Sequence, residues 1–225
     1  MKLILKDSEH WDPIYKKTLI IIDFQKDFID GSLAVPGAKD AENAIVNYIE
    51  NNYEAISNVI FTVDWHSPNH CSFEKNGGIW PVHCVQFSEG AGISDKIIQT
   101  CINHDLKFNV FKKGNNDITE EYGAFQYIVH YIGISGGGGI IVRNECSQEL
   151  VIPNTEFVVC GLAGDYCVKE TINNLILFNK KQEEFKSINK DAFILNIEIL
   201  KDGVASIDDG TVFNNFIKEN NLKII

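Results

Sequence analysis

Thr18-Leu19-Ile20-Ile21-Ile22-Asp23 is an unbroken aliphatic run that ends on a carboxylate. Strands that alternate apolar and polar residues have one wet face. A run apolar at every position reads instead as a strand covered on both sides, as in a parallel sheet between helices. Three further stretches have the same character: Asn58-Val59-Ile60-Phe61-Thr62-Val63, the shorter Phe108-Asn109-Val110-Phe111, and Glu156-Phe157-Val158-Val159-Cys160-Gly161. A fifth strand, partly alternating, is expected over Phe193–Leu200. Between them lie segments with helical spacing: Ala38–Asn51, with Ala41, Ala44, Ile45, Tyr48 and Ile49 on one face; Ile93–Ile102; Cys167 to Phe178; and Val212–Asn220. Strands alternating with helices predict a three-layer α/β/α domain with a mainly parallel central sheet. No internal repeat or linker breaks residues 1–225, so a single domain is expected.

Residues 1–17 read as a polar leader packed on the surface, and Leu222–Ile225 as a short apolar terminus. The segment 112–150 has no clear period, and its run Gly136-Gly137-Gly138-Gly139 lacks the Lys-Ser/Thr ending of a phosphate loop. The expectation there is a flexible connection.

Composition excludes several classes of function. With 44% hydrophobic and 23% charged residues, the 225-residue chain can bury a full core. A net charge of −11 argues against a nucleic-acid partner, which needs clustered Lys and Arg. No apolar stretch is long enough to span a bilayer, and the start has too short an apolar run for a signal peptide. Six cysteines without a CxxC pair or a regular framework read as reduced thiols, which favours a cytoplasmic location.

The strand ends carry the chemistry. In open parallel sheets ligands bind at the carboxyl ends of the strands. Asp23 ends the first strand, Asp64 the second, Lys112 and Lys113 follow the third, and Cys167 lies just past the fourth. Cys167 follows the small-residue turn Gly161-Leu162-Ala163-Gly164-Asp165-Tyr166, which can expose a side chain where a helix N-terminus favours a thiolate. The same backbone amides can bind an oxyanion. Asp23 can accept the thiol proton and return it to a leaving amine if burial raises its pKa. Cys84, Cys101 and Cys160 read as packing thiols.

Asp64 and His66, two apart on an extended segment, face the same way, and His83 can return to them through a loop. Three N/O ligands leave coordination positions open, as a catalytic or substrate-binding metal requires. Histidines near strand ends are, however, more often hydrogen-bonded structural residues, so the trio alone leaves both readings open.

Taken together these stretches resemble the cysteine hydrolases of the isochorismatase-like superfamily, and within it the nicotinamidases (pyrazinamidases). The similar segments are Ile22–Phe28, Val63–His66, Trp80–Cys84, Phe111–Gly114, Tyr122–Phe125, Gly161–Val168 and Lys201–Ser206. The resemblance implies an isochorismatase-like, Rossmann-like fold and a catalytic triad of Asp23, Lys113 and Cys167, with Lys113 preferred to Lys112. It implies Asp64, His66 and His83 as ligands of a divalent metal, Zn²⁺ first and Fe²⁺ or Mn²⁺ otherwise. It implies Phe28, Trp80 and Tyr166 around the ring, the Ala163 and Cys167 amides as oxyanion hole, and a cis peptide between Leu162 and Ala163. The expected reaction is hydrolysis of nicotinamide, and of pyrazinamide, to the acid and ammonia through a Cys thioester, in NAD salvage. A homo-oligomer is compatible with the sequence. Another small-amide or carbamoyl hydrolase of the superfamily, or a non-catalytic binding or redox protein on the fold, is the alternative. The chain departs from the family pattern at Phe24, Gly123, Gly164 and the Gly136–Gly139 run, and the two isolated glycines bear on pocket shape.

Overall fold

A computed structural model of the chain describes residues 17–132, 138–144, 148–152, 156–185 and 194–225. The expected leader therefore lies outside the described residues, apart from Lys17, as do Gly136, Gly137, Cys146 and Phe193.

The strand that opens the fold is β1 (Lys17–Ile22), and its two faces build two cores. Leu19 and Ile21 pack with Ala41, Ile45 and Ile49 of α2 (Ala38–Asn52) and Ile97 of α3 (Asp95–Asn103). Ile20 and Ile22 pack on the other side with Ile172 and Leu175 of α4 (Lys169–Phe185) and Phe213 of α5 (Thr211–Glu219). Burial on both faces is why the run is aliphatic at every position. Ser94 caps α3, its hydroxyl accepting from the Ile97 N–H at 3.2 Å. A short helix, α1 (Lys26–Ile29), follows β1.

The main sheet has six strands in the order β3-β2-β1-β7-β8-β9, all parallel: β2 is Ile56–Asp64, β3 Phe108–Lys113, β7 Glu156–Gly161, β8 Asn196–Val204 and β9 Lys223–Ile224. The chain runs outward from β1 to β3 on one side and from β7 to β9 on the other. The order reverses between β1 and β7, where such sheets open a crevice at their carboxyl ends. This is the three-layer α/β/α architecture expected.

Several boundaries move. Lys112 and Lys113 do not follow the third strand but finish it, in register with Val63 and Asp64 of β2. β8 runs on through Lys201–Val204, past the expected end at Leu200. A π-helical turn at Gly164–Val168 precedes α4, and Cys167 sits inside it.

The largest difference lies in 112–150. It contains an antiparallel sheet of β4 (Tyr127–Ile132), β5 (Gly138–Arg143) and β6 (Glu149–Ile152), so Gly138 and Gly139 are strand residues and not a flexible connection. Ile140, Val142 and Ile152 bury against Phe111 and Phe125, while Val129 and Val151 remain 42% and 43% exposed. These strands are short, begin on glycine or carry apolar residues on both faces, and so show no clean period of two. Among the described residues no helix is long and apolar enough to cross a membrane.

At the amino-terminal edge of the sheet the Glu198 carboxylate, 3% exposed, joins three strands: Lys17 of β1 contacts one oxygen and Lys223 of β9 the other, the latter at 2.5 Å. Burial would raise this carboxyl, but the two ammonium groups overcome it and hold its pKa below 4.5. A depressed folded-state pKa means stabilisation that is present above the unfolded value and lost as pH falls through the folded one. Both lysines are partly solvated, so the net contribution is about 1 kcal/mol. Glu198→Gln should therefore lower the melting temperature at pH 7 by about 2–4 °C, with the gap closing at pH 3. A gap of equal size at both pH values would show that the carboxylate charge is irrelevant.

Candidate active site

Four strand ends meet at the crevice. Asp23 leaves β1 with φ at 47° and is fully buried. Its N–H donates to the Thr62 carbonyl at 3.0 Å, and the Thr62 hydroxyl donates to its Oδ1 at 2.7 Å. Lys113, last residue of β3 and also fully buried, directs Nζ between Asp23 Oδ2 at 2.9 Å, Asp64 Oδ1 and Cys167 Sγ at 3.5 Å. The Glu121 carbonyl is a fourth partner at 3.3 Å. One ammonium thus ties together residues from all four strand ends.

Burial and charge set the proton affinities. Burial raises the Asp23 carboxyl by more than Lys113 lowers it. For Asp64 burial acts in the same direction, but Lys113, His66 and His83 outweigh it and hold the group well below the usual carboxylate range. Burial would discharge Lys113, yet Asp23, Asp64 and Cys167 keep its pKa well above 10.5. Burial pushes the Cys167 thiol well above 9; Lys113 counters this, but the two carboxylates add to it. The expectation of an exposed side chain at a helix terminus is therefore corrected in its exposure. Cys167 is 6% exposed, inside a π-helical turn, and burial and the two carboxylates push its thiol up.

The turn that carries Cys167 is built from the backbone. The Leu162–Ala163 peptide is cis, and the Ala163 carbonyl accepts from the Tyr166 and Val168 N–H groups, each at 3.1 Å. The Gly164 N–H donates to Ala205 at 2.8 Å. Asp165, which sequence reasoning passed over, accepts from the Ile207 and Asp208 amides at 2.9 and 3.0 Å and fixes the segment after β8 against the turn. A Cβ on Gly164 would lie 2.4 Å from Ser206 Oγ and 2.9 Å from Val204 Cγ1, and one on Gly123 would lie 2.8 Å from Asn174 Nδ2. The space a side chain would take is already filled by the protein, and neither glycine lines the cleft.

Asp64, His66 and His83 converge beside Lys113. Their ligand atoms lie within 4.8 Å of one another, with Asp64 Oδ2 at 3.5 Å from His66 Nε2 and 3.9 Å from His83 Nε2. The outer nitrogen of each ring meets a backbone carbonyl: His66 Nδ1 is 2.8 Å from Gly114 O, and His83 Nδ1 2.8 Å from Pro81 O. A carbonyl only accepts, so both Nδ1 atoms carry the proton and both Nε2 lone pairs are turned inward. Lys113 occupies one oxygen of Asp64 and leaves the other to the histidines. Two imidazole nitrogens and a carboxylate oxygen, already in the tautomers a cation needs, fit a divalent metal with open positions.

The support behind this trio was not visible in the sequence. Gln25 accepts from the Asp64 N–H at 2.8 Å and donates to its carbonyl at 2.8 Å, which clamps that peptide. Asp27 accepts from the Cys84 N–H at 2.7 Å, next to His83. Cys84 itself is buried in the core with its thiol pushed well above 9 by burial and nearby carboxylates, as a packing residue.

The cleft over these groups is lined by Phe28, Trp80, Tyr166, Tyr122, Ala163 and Cys167, with Asp64 and His83 at its floor. The three aromatic residues singled out from the sequence are thus brought together. Tyr122 joins them: the Trp80 indole N–H donates to its hydroxyl at 3.0 Å, and the Trp80 and Tyr166 rings meet edge to face at 5.0 Å. Glu120 also reaches the cleft, its carboxyl raised by burial and by Asp64. Both lie in the stretch between β3 and β4 that had no legible period.

No protein-family model matches the chain. The nicotinamidase of Escherichia coli (strain K12) is 33% identical over 178 residues, covering 69% of this chain and 74% of that one. The structure of the yeast nicotinamidase superposes with a TM-score of 0.64 at 26% identity, over 93% of this chain and 99% of that one. The pyrazinamidase of Pyrococcus horikoshii in complex with zinc shares the fold, with a TM-score of 0.62 at 23% identity over 93% and 98% of the two chains. A relative a third identical over this span, on the same isochorismatase-like α/β/α frame, makes this chain a member of the nicotinamidase family of hydrolases.

Proposed function

We propose that this nicotinamidase acts through Cys167 and a covalent thioester, with Asp23 as acid/base and Lys113 as the fixed counter-charge. The observation that carries the reading is the placement of Lys113 Nζ against Asp23, Asp64 and Cys167 at the mouth of an aromatic cleft.

Nicotinamide enters between Phe28, Trp80 and Tyr166, with its carboxamide toward Cys167. Asp23 takes the thiol proton, and Sγ attacks the carboxamide carbon. The raised pKa of Asp23 suits this exchange, because acid and thiol then compete for one proton across a short distance. The charge that develops on the carboxamide oxygen is met by backbone N–H groups of Ala163 and Cys167; that of Ala163 has no acceptor among the described residues. Lys113 stabilises the sulfur as it becomes anionic. Asp23 then protonates the departing ammonia and next takes a proton from water, which attacks the thioester and releases nicotinate.

Asp64, His66 and His83 would hold a divalent cation, zinc first and iron or manganese otherwise. When bound it supplies a Lewis acid that fixes the pyridine nitrogen. The inward Nε2 atoms and the zinc in the Pyrococcus horikoshii pyrazinamidase support that role. Pyrazinamide, with a ring nitrogen in the same position, fits as a second substrate. NAD salvage in the cytoplasm is the setting that suits the reaction.

Cys167→Ala should abolish ammonia release from nicotinamide, with a loss of at least about 10³-fold, while the fold is retained. Residual turnover near wild type would remove the thioester from the mechanism. A parallel assay on simple carbamoyl compounds should give rates far below those on nicotinamide and pyrazinamide; the reverse order would assign the site to the alternative amide class.

Gly114 offers a separate test of the metal trio. Its φ is +63°, and a Cβ there would stand 2.5 Å from His66 Cε1. Gly114→Ala should displace His66 and reduce zinc retained after dialysis by about tenfold or more. Unchanged zinc content, by elemental analysis, would mean that His66 is not a ligand.

A further inference from the structure

β3 is the edge strand of the six-stranded sheet and carries Lys113 at its end. Its inner side pairs with β2, and just past each end of that ladder Lys107 O accepts from Val59 and Lys113 O from Trp65, both at 2.9 Å. Odd-numbered residues of β3 therefore face β2, and Val110 and Lys112 turn their backbone groups away from it. Among the described residues no strand pairs with that outer side.

Two side-chain amides from the β5–β6 connection take the place of a strand. Gln148 Oε1 accepts from the Lys112 N–H at 3.0 Å, and its Nε2 donates to the Val110 carbonyl at 2.7 Å. A single carboxamide thus accepts and donates as one peptide unit of a neighbouring strand would. Asn144 Nδ2 donates to the Lys112 carbonyl at 2.7 Å. The pair is itself fixed: Asn144 Oδ1 accepts from the Gln148 N–H at 2.8 Å, and the Asn144 N–H donates to Gln148 O at 3.2 Å. Asn144 is buried and Gln148 half-buried, so water competes weakly for these bonds.

We infer that Asn144 and Gln148 are positioning residues for the hydrolysis, and that the β4–β6 sheet serves to clamp the strand that presents Lys113. The inference rests on the proposed role of Lys113. Lys112 is the peptide directly before it, and all of its backbone bonds on the outer side go to these two amides. The Lys113 side chain must meet three partners at once, so a small rotation of its peptide moves Nζ away from at least one. Positional errors of this order are costly in catalysis and leave the ring-binding wall untouched.

The test uses the full, zinc-loaded enzyme. Gln148→Met keeps the length and removes both amide bonds; it should lower kcat for nicotinamide about tenfold and leave KM within about twofold. Gln148→Glu keeps the acceptor for Lys112 and loses the donor, and should fall between Met and wild type. Hydrogen exchange at the Lys112 amide should accelerate in Gln148→Met, and alkylation of Cys167 by iodoacetamide, followed by peptide mass, should change in rate. If Gln148→Met does not fold, Asn144→Asp, which removes the donor to the Lys112 carbonyl and to Gln148 Oε1, carries the same kcat measurement. Faster exchange at Lys112 with unchanged kcat and unchanged Cys167 alkylation would overturn the inference, as would unchanged exchange. Lys113→Ala is run alongside. If that variant retains full activity, the catalytic reading of Lys113 fails; if it is inactive while Gln148→Met matches wild type, only the clamp fails.

Discussion

Everything at the carboxyl edge of this sheet is organised by one buried positive charge. Lys113 Nζ has no access to solvent and is held by two carboxylates, a thiol and a carbonyl. Removing an ammonium from water costs several kcal/mol, and only close, well-directed acceptors offset it. Each acceptor in turn depends on Lys113. Without it, Asp64 would lose the neighbour that most depresses its pKa, and Asp23 the one that most restrains its rise. The site is therefore an electrostatic unit in which no member has an independent protonation state.

In the proposed mechanism that unit also explains why Cys167 would need no histidine. Two histidines stand nearby, but their Nδ1 atoms are engaged by carbonyls and their Nε2 atoms face Asp64. In that mechanism proton transfer would fall instead to Asp23, a carboxylate lifted by burial, next to a thiol lifted by the same cause. Lifting the carboxyl makes Asp23 a better acceptor for the thiol proton than an ordinary carboxylate would be.

The parts of this arrangement readable from sequence are those where local pattern and global position coincide. The run 19–22 is apolar throughout because both its faces are buried, and that property alone points to a parallel sheet and places Asp23 at its end. The choice of Lys113 over Lys112 was beyond local reading. Adjacent residues on a strand face opposite sides, and only the register shows that Lys113 turns inward while Lys112 lies over the Trp65 ring at 4.3 Å. Thr62 and Gln25 were hidden for a related reason. One sits as a single hydroxyl inside an apolar run and the other as an ordinary loop amide, and their roles exist only through partners 39 positions away. The β4–β6 sheet escaped because its inward apolar residues pack on a core distant in sequence, with no uniform alternation to announce it.

A long parallel sheet of aliphatic strands has two borders, each able to template the addition of another chain. Here each border is short or partly covered. On one, the Gln148 carboxamide and Asn144 occupy the Val110 carbonyl and both backbone groups of Lys112. The other is the two-residue β9, whose Lys223 puts a charge at the rim. The amides that hold the strand bearing Lys113 thus have a second consequence, because they leave fewer free hydrogen-bonding groups on that border for another chain to pair with. A substitution at Gln148 would free the Lys112 N–H and the Val110 carbonyl on that border along with whatever it does to turnover.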